Sequence, residues 1–569
     1  MGLLDIFGKR RKYSHAFVEP DEIFLDAKNL PQFDTQQFEG RIEKAISKRT
    51  IKVVQSFFLI VFFIFAGRLL YMQGIKGNSY YTMSKQNQLG REPIFAERGV
   101  IYDRNGVLLA WNEQPATDEP YSKRAYIQQN GFGHLLGYVS YPSKDSSGNF
   151  WQTEFVGKNG IEKQYNNVLR GTNGTRLIER DVHGNTTLSN QIYKPIPGEN
   201  ITLTIDSRLQ AHFADAIAKI MHQSGYKGGA GLIMDIRTGE LLAITSIPEY
   251  SPTVMSLGDD REKIQHYLTD SSKPFLDRAV AGLYSPGSIV KPYMAMAGLT
   301  EGVITPNTWI ASHGQISIPN PYDPAHPSIF KDYREDNGVV DVRHALAYSS
   351  NIFFYNVSGG YQSQKGIGIE NIGKYLTMFG VGVPTGIDLP NEKGGVIPSP
   401  AWKSKYFPGD PWRVGDTYNT AIGQYGVQVT PIEMIRAVAA IASDGKLVSP
   451  HVRKGDIAFE SKTEQLDLSK EFFQVIREGM RLVVTDPNGT AKALNALPFK
   501  VAVKTGTAQV GVNNQFINAW ATGFFPYENP KYAFTVMMER GTDATALGAA
   551  AVALSQLQWM AENTPEYTQ

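Results

Sequence analysis

The 569-residue chain is long enough for several domains, and its 42% hydrophobic and 20% charged residues are ordinary proportions for a folded protein. A formal net charge of +1 lacks the basic surplus that nucleic-acid binders rely on, so no nucleic-acid partner is expected. The absence of cysteine excludes disulfides, thiol catalysis and thiolate metal sites. No GxxxxGK[ST], HExxH or GxGxxG pattern occurs, which argues against ATP-driven, zincin and dinucleotide chemistry.

Residues 1–50 are polar, with basic clusters at Lys9-Arg10-Arg11-Lys12 and at Lys44, Lys48, Arg49 and Lys52. An apolar run follows from Ile51 to Met72, centred on Phe57-Phe58-Leu59-Ile60-Val61-Phe62-Phe63-Ile64-Phe65. It supplies roughly the 20 residues that a bilayer-crossing helix needs. A buried core helix is the rival reading, but nothing so uniformly aromatic and aliphatic recurs in the chain. The run begins too late for an ordinary cleaved signal peptide. Basic residues ahead of it put the N-terminus in the cytoplasm by the positive-inside rule. The expected plan is a cytoplasmic tail (1–50), a single-pass anchor helix (51–72) and an extracytoplasmic body.

The body divides by texture. Residues 73–205 form a β-rich module with little core of its own. In it, Glu97 to Ala110 reads as two short strands around Asn105-Gly106. Residues 112–132 are polar, 156–171 resemble a short helix, and 175–180 and 200–205 resemble strands. From Asp206 an amphipathic helix (Ser207 to His222) precedes a hairpin over 229–246 turning at Arg237-Thr238-Gly239. Helical patterns dominate 288–485, broken by a proline-rich loop at 318–327. Strands return at 500–504, 519–525 and 532–539, and a last helix is expected from about Asp543 to Met560. Strands at both ends with helices between predict one α+β domain, 206–569, whose sheet is completed by its C-terminus.

Three short motifs carry chemistry. In Tyr284-Ser285-Pro286-Gly287-Ser288-Ile289-Val290-Lys291, Ser288 stands three residues before Lys291 at the start of a predicted helix. Hydroxyl and amine then share one helical face, where the amine can take the proton and the helix N-terminus favours the negative charge. SxxK also occurs at Ser224/Lys227 and Ser328/Lys331, but neither serine opens a helix. The second motif is Ser349-Ser350-Asn351, ahead of the apolar run Ile352-Phe353-Phe354-Tyr355; a rival SxN lies at Ser147-Gly148-Asn149. The third, Lys504-Thr505-Gly506-Thr507, occurs once, at the end of the predicted strand Val501-Ala502-Val503. Taken singly these read as a helix cap, a solvated loop and a strand-end turn. Taken as an ordered set they are specific.

SxxK, SxN and KTG in this order resemble the active-site signature of the penicillin-binding protein and serine β-lactamase superfamily. The likeness extends over about residues 50–560. Arg98-Gly99, Asp103-Arg104-Asn105-Gly106, Gly160-Ile161-Glu162 and Arg170-Gly171 resemble the pedestal of the class B, monofunctional members. Thr385-Gly386-Ile387-Asp388-Leu389-Pro390, Trp412 with Gly415-Asp416-Thr417, and Ile422-Gly423-Gln424 are most similar to the penicillin-binding protein 2 branch, which serves cell elongation. Two departures stand out. The 112–132 segment is brief where the family inserts a larger head, and residues 423–426 read Gly-Gln-Tyr-Gly where relatives tend to have Gly-Gln-Gly.

The resemblance implies a fold, a reaction and a set of roles. A transpeptidase domain stands on a pedestal behind the anchor, in the bacterial cytoplasmic membrane with the catalytic body outside. Ser288 attacks the carbonyl of a terminal D-Ala-D-Ala peptide, with neutral Lys291 as base and Lys504 as the second cation. Ser349 relays a proton to the leaving D-alanine, and Asn351 orients Lys291 and bonds the substrate amide. Thr505, Gly506 and Thr507 hold the terminal carboxylate, and the N–H groups of Ser288 and Thr507 form the oxyanion hole. An amine from a neighbouring stem peptide resolves the acyl-enzyme, and β-lactams trap Ser288. A SEDS-family (RodA-like) glycosyltransferase is the implied partner. No cofactor is expected. Some relatives hold a metal near the SxN helix with His and Cys; here the loop reads Asp336-Asn337-Gly338, so none is expected. The alternatives are a septal-type paralogue, a D,D-carboxypeptidase, a β-lactamase, and a non-catalytic scaffold that activates the polymerase.

Overall fold

The computed structural model describes residues 47–114, 119–180, 186–320, 323–455, 462–542 and 547–569. The N-terminal basic cluster, most of the expected tail and the Asp543 start of the last helix lie outside them. The chain forms two compact units, Met1–Leu89 and Gly90–Gln569.

In the first unit, a 23-residue helix, Lys48–Leu70, is N-capped by Ser47, whose hydroxyl accepts from the Thr50 N–H. At 1.5 Å per residue it is about 34 Å long, enough for a hydrocarbon core of about 30 Å. Its Phe57, Phe58, Phe62, Phe63 and Phe65 are all exposed. Among the described residues it is the one helix long and apolar enough to cross a membrane. It begins three residues before the expected Ile51 because Ser47 supplies the cap, and it runs on through a π-helical turn, Tyr71–Ile75.

In the second unit the predicted hairpin forms. Ile101–Tyr102 pairs antiparallel with Leu108–Glu113, and Gly106 takes the positive φ of +85° that the Asn-Gly turn requires. The expected strand at 200–205 contracts to Ile201–Thr202, parallel to Ile101–Tyr102. The expected helix over 156–171 is two short ones, Gly160–Gln164 and Asn166–Leu169. A strand at Lys123–Tyr126 was not anticipated, since its sequence lacks apolar alternation. It forms because Arg124 turns inward: Arg124 Nε and Arg98 Nε donate to opposite oxygens of the fully buried Glu162 carboxylate at 2.7 and 2.6 Å. This ion triad ties three separate segments together.

The main sheet has five antiparallel strands: β1 (Gly228–Asp235), β2 (Leu241–Ile247), β3 (Ala502–Val510), β4 (Phe516–Phe525) and β5 (Tyr532–Gly541). Their order is β2-β1-β5-β4-β3, so the C-terminal strands complete a sheet begun by the 229–246 hairpin, as the sequence pattern predicts. Every residue of β1 and β2 is buried because helices cover both faces. One face carries α1 (Ser207–Ser224) and the terminal helix Ala549–Asn563; the other carries Pro431–Ala442, with eleven buried residues. On that second face the apolar core continues without a break into Ile101, Leu109, Tyr126, Ile161 and Leu169. The N-terminal module accordingly shares the core of the larger domain.

Candidate active site

Ser288 lies in a 3-10 turn, Gly287–Val290, which hands over to the helix Lys291–Thr300. The expected α-helical start at Ser288 is thus a tighter turn. Gly287 takes φ +58°, which releases the chain from the preceding proline into this turn. The Ser285 carbonyl accepts from the Trp520 indole N–H at 3.0 Å, and the Gly287 N–H donates to the Gly423 carbonyl at 3.0 Å. The turn is therefore clamped between the sheet edge and the 423–426 loop.

The KTG residues lie in the middle of β3, which runs on to Val510 where the predicted strand ended at Lys504. Strand pairing continues past them because Lys504, Thr505, Gly506 and Thr507 face Thr522, Ala521, Trp520 and Ala519 of β4 in unbroken register. Glycine is required at 506 by proximity: a Cβ there would lie 2.6 Å from the Pro286 carbonyl oxygen and 3.0 Å from Ile289 Cγ2. A Cβ on Gly287 would likewise meet the Thr507 carbonyl at 2.9 Å. The serine turn and the strand edge thus run backbone against backbone.

The SxN motif is a sharp corner between the helices Val342–Tyr348 and Asn351–Gly359. Ser349 adopts a left-handed conformation (φ 60°, ψ 36°), uncommon for a residue with a side chain and worth about 1 kcal/mol or more of strain. The corner turns both its carbonyl and its hydroxyl toward the buried amines. Lys291 Nζ donates to the Ser349 carbonyl at 2.6 Å, to Asn351 Oδ1 at 2.7 Å and to Ser349 Oγ at 3.4 Å. Lys504 Nζ donates to the same Ser349 Oγ at 2.9 Å and to the Thr505 carbonyl at 2.9 Å. One hydroxyl therefore bridges two fully buried lysines. Among the described residues, no hydrogen bond joins Lys291 Nζ to Ser288 Oγ; the amine is held from the SxN side.

Burial pulls Lys291 down to about 7, while the nearby Asp332 carboxylate acts in the opposite direction. Lys504 is pulled well below an ordinary lysine, first by burial and then by the charge of Lys291. Two ammonium groups sharing a hydroxyl in a dry site repel, so the pair does not hold two charges near neutrality. Of the two, Asp332 favours the charge on Lys291, a point the sequence did not disclose.

Ser288, Lys291, Ser349, Asn351, Lys504 and Gly506 thus converge. Thr505 is half-buried and its hydroxyl meets that of Thr490 at 2.6 Å; Thr507 is exposed. Sequence reasoning missed Thr490, Trp520 and Asp332. No signal singled out the first two, and Asp332 lies past the 318–327 proline-rich loop, directly after the strand Ser328–Lys331, where only the SxxK pair Ser328/Lys331 was noted. Among the described residues, no group of three or more His, Cys, Asp or Glu side chains is placed to hold a metal.

Comparison with known proteins agrees with this geometry. Residues 229–557 match the family described as Penicillin binding protein transpeptidase domain, and 116–203 match the Penicillin-binding Protein dimerisation domain. The peptidoglycan D,D-transpeptidase MrdA of Haemophilus influenzae is 30% identical over 507 residues, covering 83% of this chain and 75% of its own. The MrdA protein of Escherichia coli K12 is 28% identical over 608 residues, covering 89% and 93%. Pseudomonas aeruginosa PBP2 in complex with WCK 5153 superposes with a TM-score of 0.70 at 30% identity, covering 84% of this chain and 100% of that one. The Helicobacter pylori complex of PBP2 with MreC gives 0.69 at 27%, covering 83% and 99%. A chain from a peptidoglycan synthase complex, described as coordinating polymerization and crosslinking, gives 0.69 at 25%, covering 90% and 98%. With its three motifs brought together by Lys291, Ser349, Lys504 and the turn against Gly506, and with a family match over more than half its length, the chain belongs to the class B penicillin-binding proteins of the penicillin-binding protein 2 type, serine-type peptidoglycan D,D-transpeptidases.

Proposed function

We propose that Ser288 is the acylated nucleophile with which this transpeptidase crosslinks peptidoglycan stem peptides during cell-wall elongation. The observation that carries this reading is the hydroxyl of Ser349 held between Lys504 and Lys291, at 2.9 and 3.4 Å, beside the serine turn. A D-Ala-D-Ala carboxylate arriving at Lys504, Thr505 and Thr507 favours the ammonium form of Lys504. The shared proton then moves across Ser349 and leaves Lys291 as the free base. Lys291 takes the Ser288 proton as Oγ attacks the penultimate carbonyl, and the N–H groups of Ser288 and Thr507 stabilise the oxyanion. The C–N bond breaks, Ser349 delivers the proton to the departing D-alanine, and Asn351 keeps Lys291 and the substrate amide in place. The amine of a second stem peptide attacks the ester, forms the crosslink and returns Ser288 to its hydroxyl form.

The same proposal places 1–50 in the cytoplasm, 51–72 across the cytoplasmic membrane, and the pedestal (73–205) and transpeptidase domain (206–569) outside it. Supporting this are the length of the Lys48–Leu70 helix and the Lys48, Arg49 and Lys52 cations at its start. A SEDS-type glycosyltransferase is the proposed partner, on the strength of the synthase-complex neighbour. An MreC-type scaffold follows from the Helicobacter neighbour. The test is labelling with a fluorescent penicillin, wild type beside Ser288→Ala, paired with glycan polymerisation and crosslinking in the presence of the glycosyltransferase. Ser288→Ala is expected to lose label and crosslinks while polymerisation continues. Crosslinks formed by the Ser288→Ala chain would refute the assignment.

A further inference from the structure

Behind the SxN corner, outside the reacting groups, one carboxylate gathers an unusual number of donors. Asp332 Oδ1 accepts from the N–H groups of Asn351 and Tyr333, each at 2.7 Å. Asp332 Oδ2 accepts from Ser312 Oγ at 2.7 Å, Ser350 Oγ at 2.8 Å, Asn337 Nδ2 at 3.0 Å and, more weakly, the Ile352 N–H at 3.4 Å. The Ser312 and Ser350 hydroxyls also meet each other at 2.7 Å. The preceding residue completes the grip, because the Lys331 carbonyl accepts from Asn351 Nδ2 at 3.2 Å.

Every one of these bonds bears on a single feature. Asn351 is fixed through its backbone N–H by Asp332 and through its amide nitrogen by Lys331, which leaves Oδ1 to accept from Lys291. Ser350 is fixed through its hydroxyl, so the Ser349 peptide on its other side is held in the strained left-handed corner. We propose that Asp332 is a positioning residue for serine acylation: it locks the Ser349–Asn351 corner so that the carbonyl of Ser349 and Oδ1 of Asn351 hold the Lys291 amine. This rests on the acyl-serine reading given above.

Two consequences separate this role from a purely structural one. The groups facing Lys291 are Lys504 from β3 and Asp332 behind the corner; Tyr355, from the Asn351–Gly359 helix, faces Asp332 and is itself pushed up, by burial first and by that carboxylate second. Asp332 favours the ammonium form of Lys291, so neutralising it frees the base at lower pH. The acid limb of the acylation rate therefore moves to lower pH, while the plateau falls because the corner is less well held. Removing a donor without the charge lowers the plateau and leaves the limb in place.

The experiment is the second-order rate of labelling by fluorescent penicillin, from pH 5 to 9, on the detergent-solubilised full chain, with a thermal melt on each variant. Asp332→Asn is expected to lower the plateau by roughly 10- to 100-fold, the range for hydrogen bonds to a charged group, with its acid limb displaced to lower pH. Ser312→Ala substitutes no SxN residue, removes one donor to Asp332 and the contact with the Ser350 hydroxyl, and is expected to lower the plateau by roughly two- to tenfold with the limb unmoved. An Asp332→Asn chain that labels at the wild-type rate, or whose loss equals its unfolded fraction with an unmoved limb, overturns the proposal. Should Asp332→Asn not fold, Ser312→Ala decides: a folded Ser312→Ala chain labelling at the wild-type rate overturns it. A wild-type chain that fails to label sinks the acyl-serine reading itself, whereas a labelled wild type beside an unaffected Asp332→Asn sinks this inference alone.

Discussion

Replacing Gly506 by alanine adds one methyl group at the place where the KTG strand and the serine turn touch. The new Cβ would stand 2.6 Å from the Pro286 carbonyl oxygen, against an ordinary contact of 3.4 Å or more. Backbone must therefore retreat by 3.4 − 2.6 = 0.8 Å, and the two sides available are β3 and the turn that bears Ser288. Neither is a flexible side-chain tip. β3 is paired along its whole length with β4, and the turn is tied to Trp520 and Gly423. Overpacking of this kind destabilises by about 1–3 kcal/mol, small for a sheet buried on both faces. Function suffers more, because the displaced pieces carry the two N–H groups proposed to form the oxyanion hole and the mount of Lys504. A misplacement of about 1 Å in reacting groups lowers rate by about 100-fold. Gly506→Ala is thus expected to remain folded and to acylate about 100-fold more slowly. The assay is the second-order rate of penicillin labelling, with circular dichroism and a thermal melt on the same preparation. Labelling within threefold of wild type would show that the two backbones do not need to meet, and would refute this account of the glycine.

Other expectations follow from the same geometry. Acylation should rise through a limb near pH 7, because Lys291 is held down to about 7 by burial and only its neutral form takes a proton; a rate flat from pH 5 to 9 would contradict its role as base. Ser349→Ala removes the hydroxyl between the two amines and should slow acylation by about 100-fold or more, comparable to losing an oxyanion donor, with an unchanged melting profile. Thr490→Val deletes the bond to the Thr505 hydroxyl and should weaken binding of donors that carry a free carboxylate by about threefold to tenfold, read as a rise in KM. Glu162→Gln leaves Arg98 and Arg124 facing each other without their anion. It should cost about 3–5 kcal/mol in denaturant unfolding, with little change in labelling of the molecules that remain folded.

Much of the site was legible because its chemistry is bound to local order. A serine three residues before a lysine after Pro-Gly can only present both groups to one side, and the structure differs merely in using a 3-10 turn. The strand carrying Lys504 was legible from Val501 to Val503, but its continuation was not. Thr505-Gly506-Thr507 has no apolar alternation, and only pairing with Phe516–Phe525, whose Trp520 faces Gly506, shows that it stays extended. The strand at Lys123–Tyr126 was hidden for a related reason: Arg124 is a surface residue by composition and becomes a core residue only once Glu162 is beside it. Asp332 lies seventeen residues before Ser349 along the chain, and its role depends on two small hairpins, Gln315–Ile318 with Ser328–Lys331 and Ile310–Ser312 with Gly338–Val340, folding it back under the corner. Nothing in a one-dimensional reading marks such a return.

The continuity of apolar packing from the hairpin at Ile101 into the large sheet bears on how the molecule can be cut. Tyr165 donates from the N-terminal module to Asp388 at 2.7 Å, and Asp206 accepts from both Asn105 and the C-terminal Tyr567. A truncation beginning at Asp206 would remove one donor from each of these carboxylates and uncover the part of the apolar core that Ile101, Leu109, Tyr126, Ile161 and Leu169 complete, so the excised fragment should be sticky and poorly soluble. Recombinant versions of the body that follows the apolar helix are better begun upstream of Ala96, and heat should melt such a body in one transition.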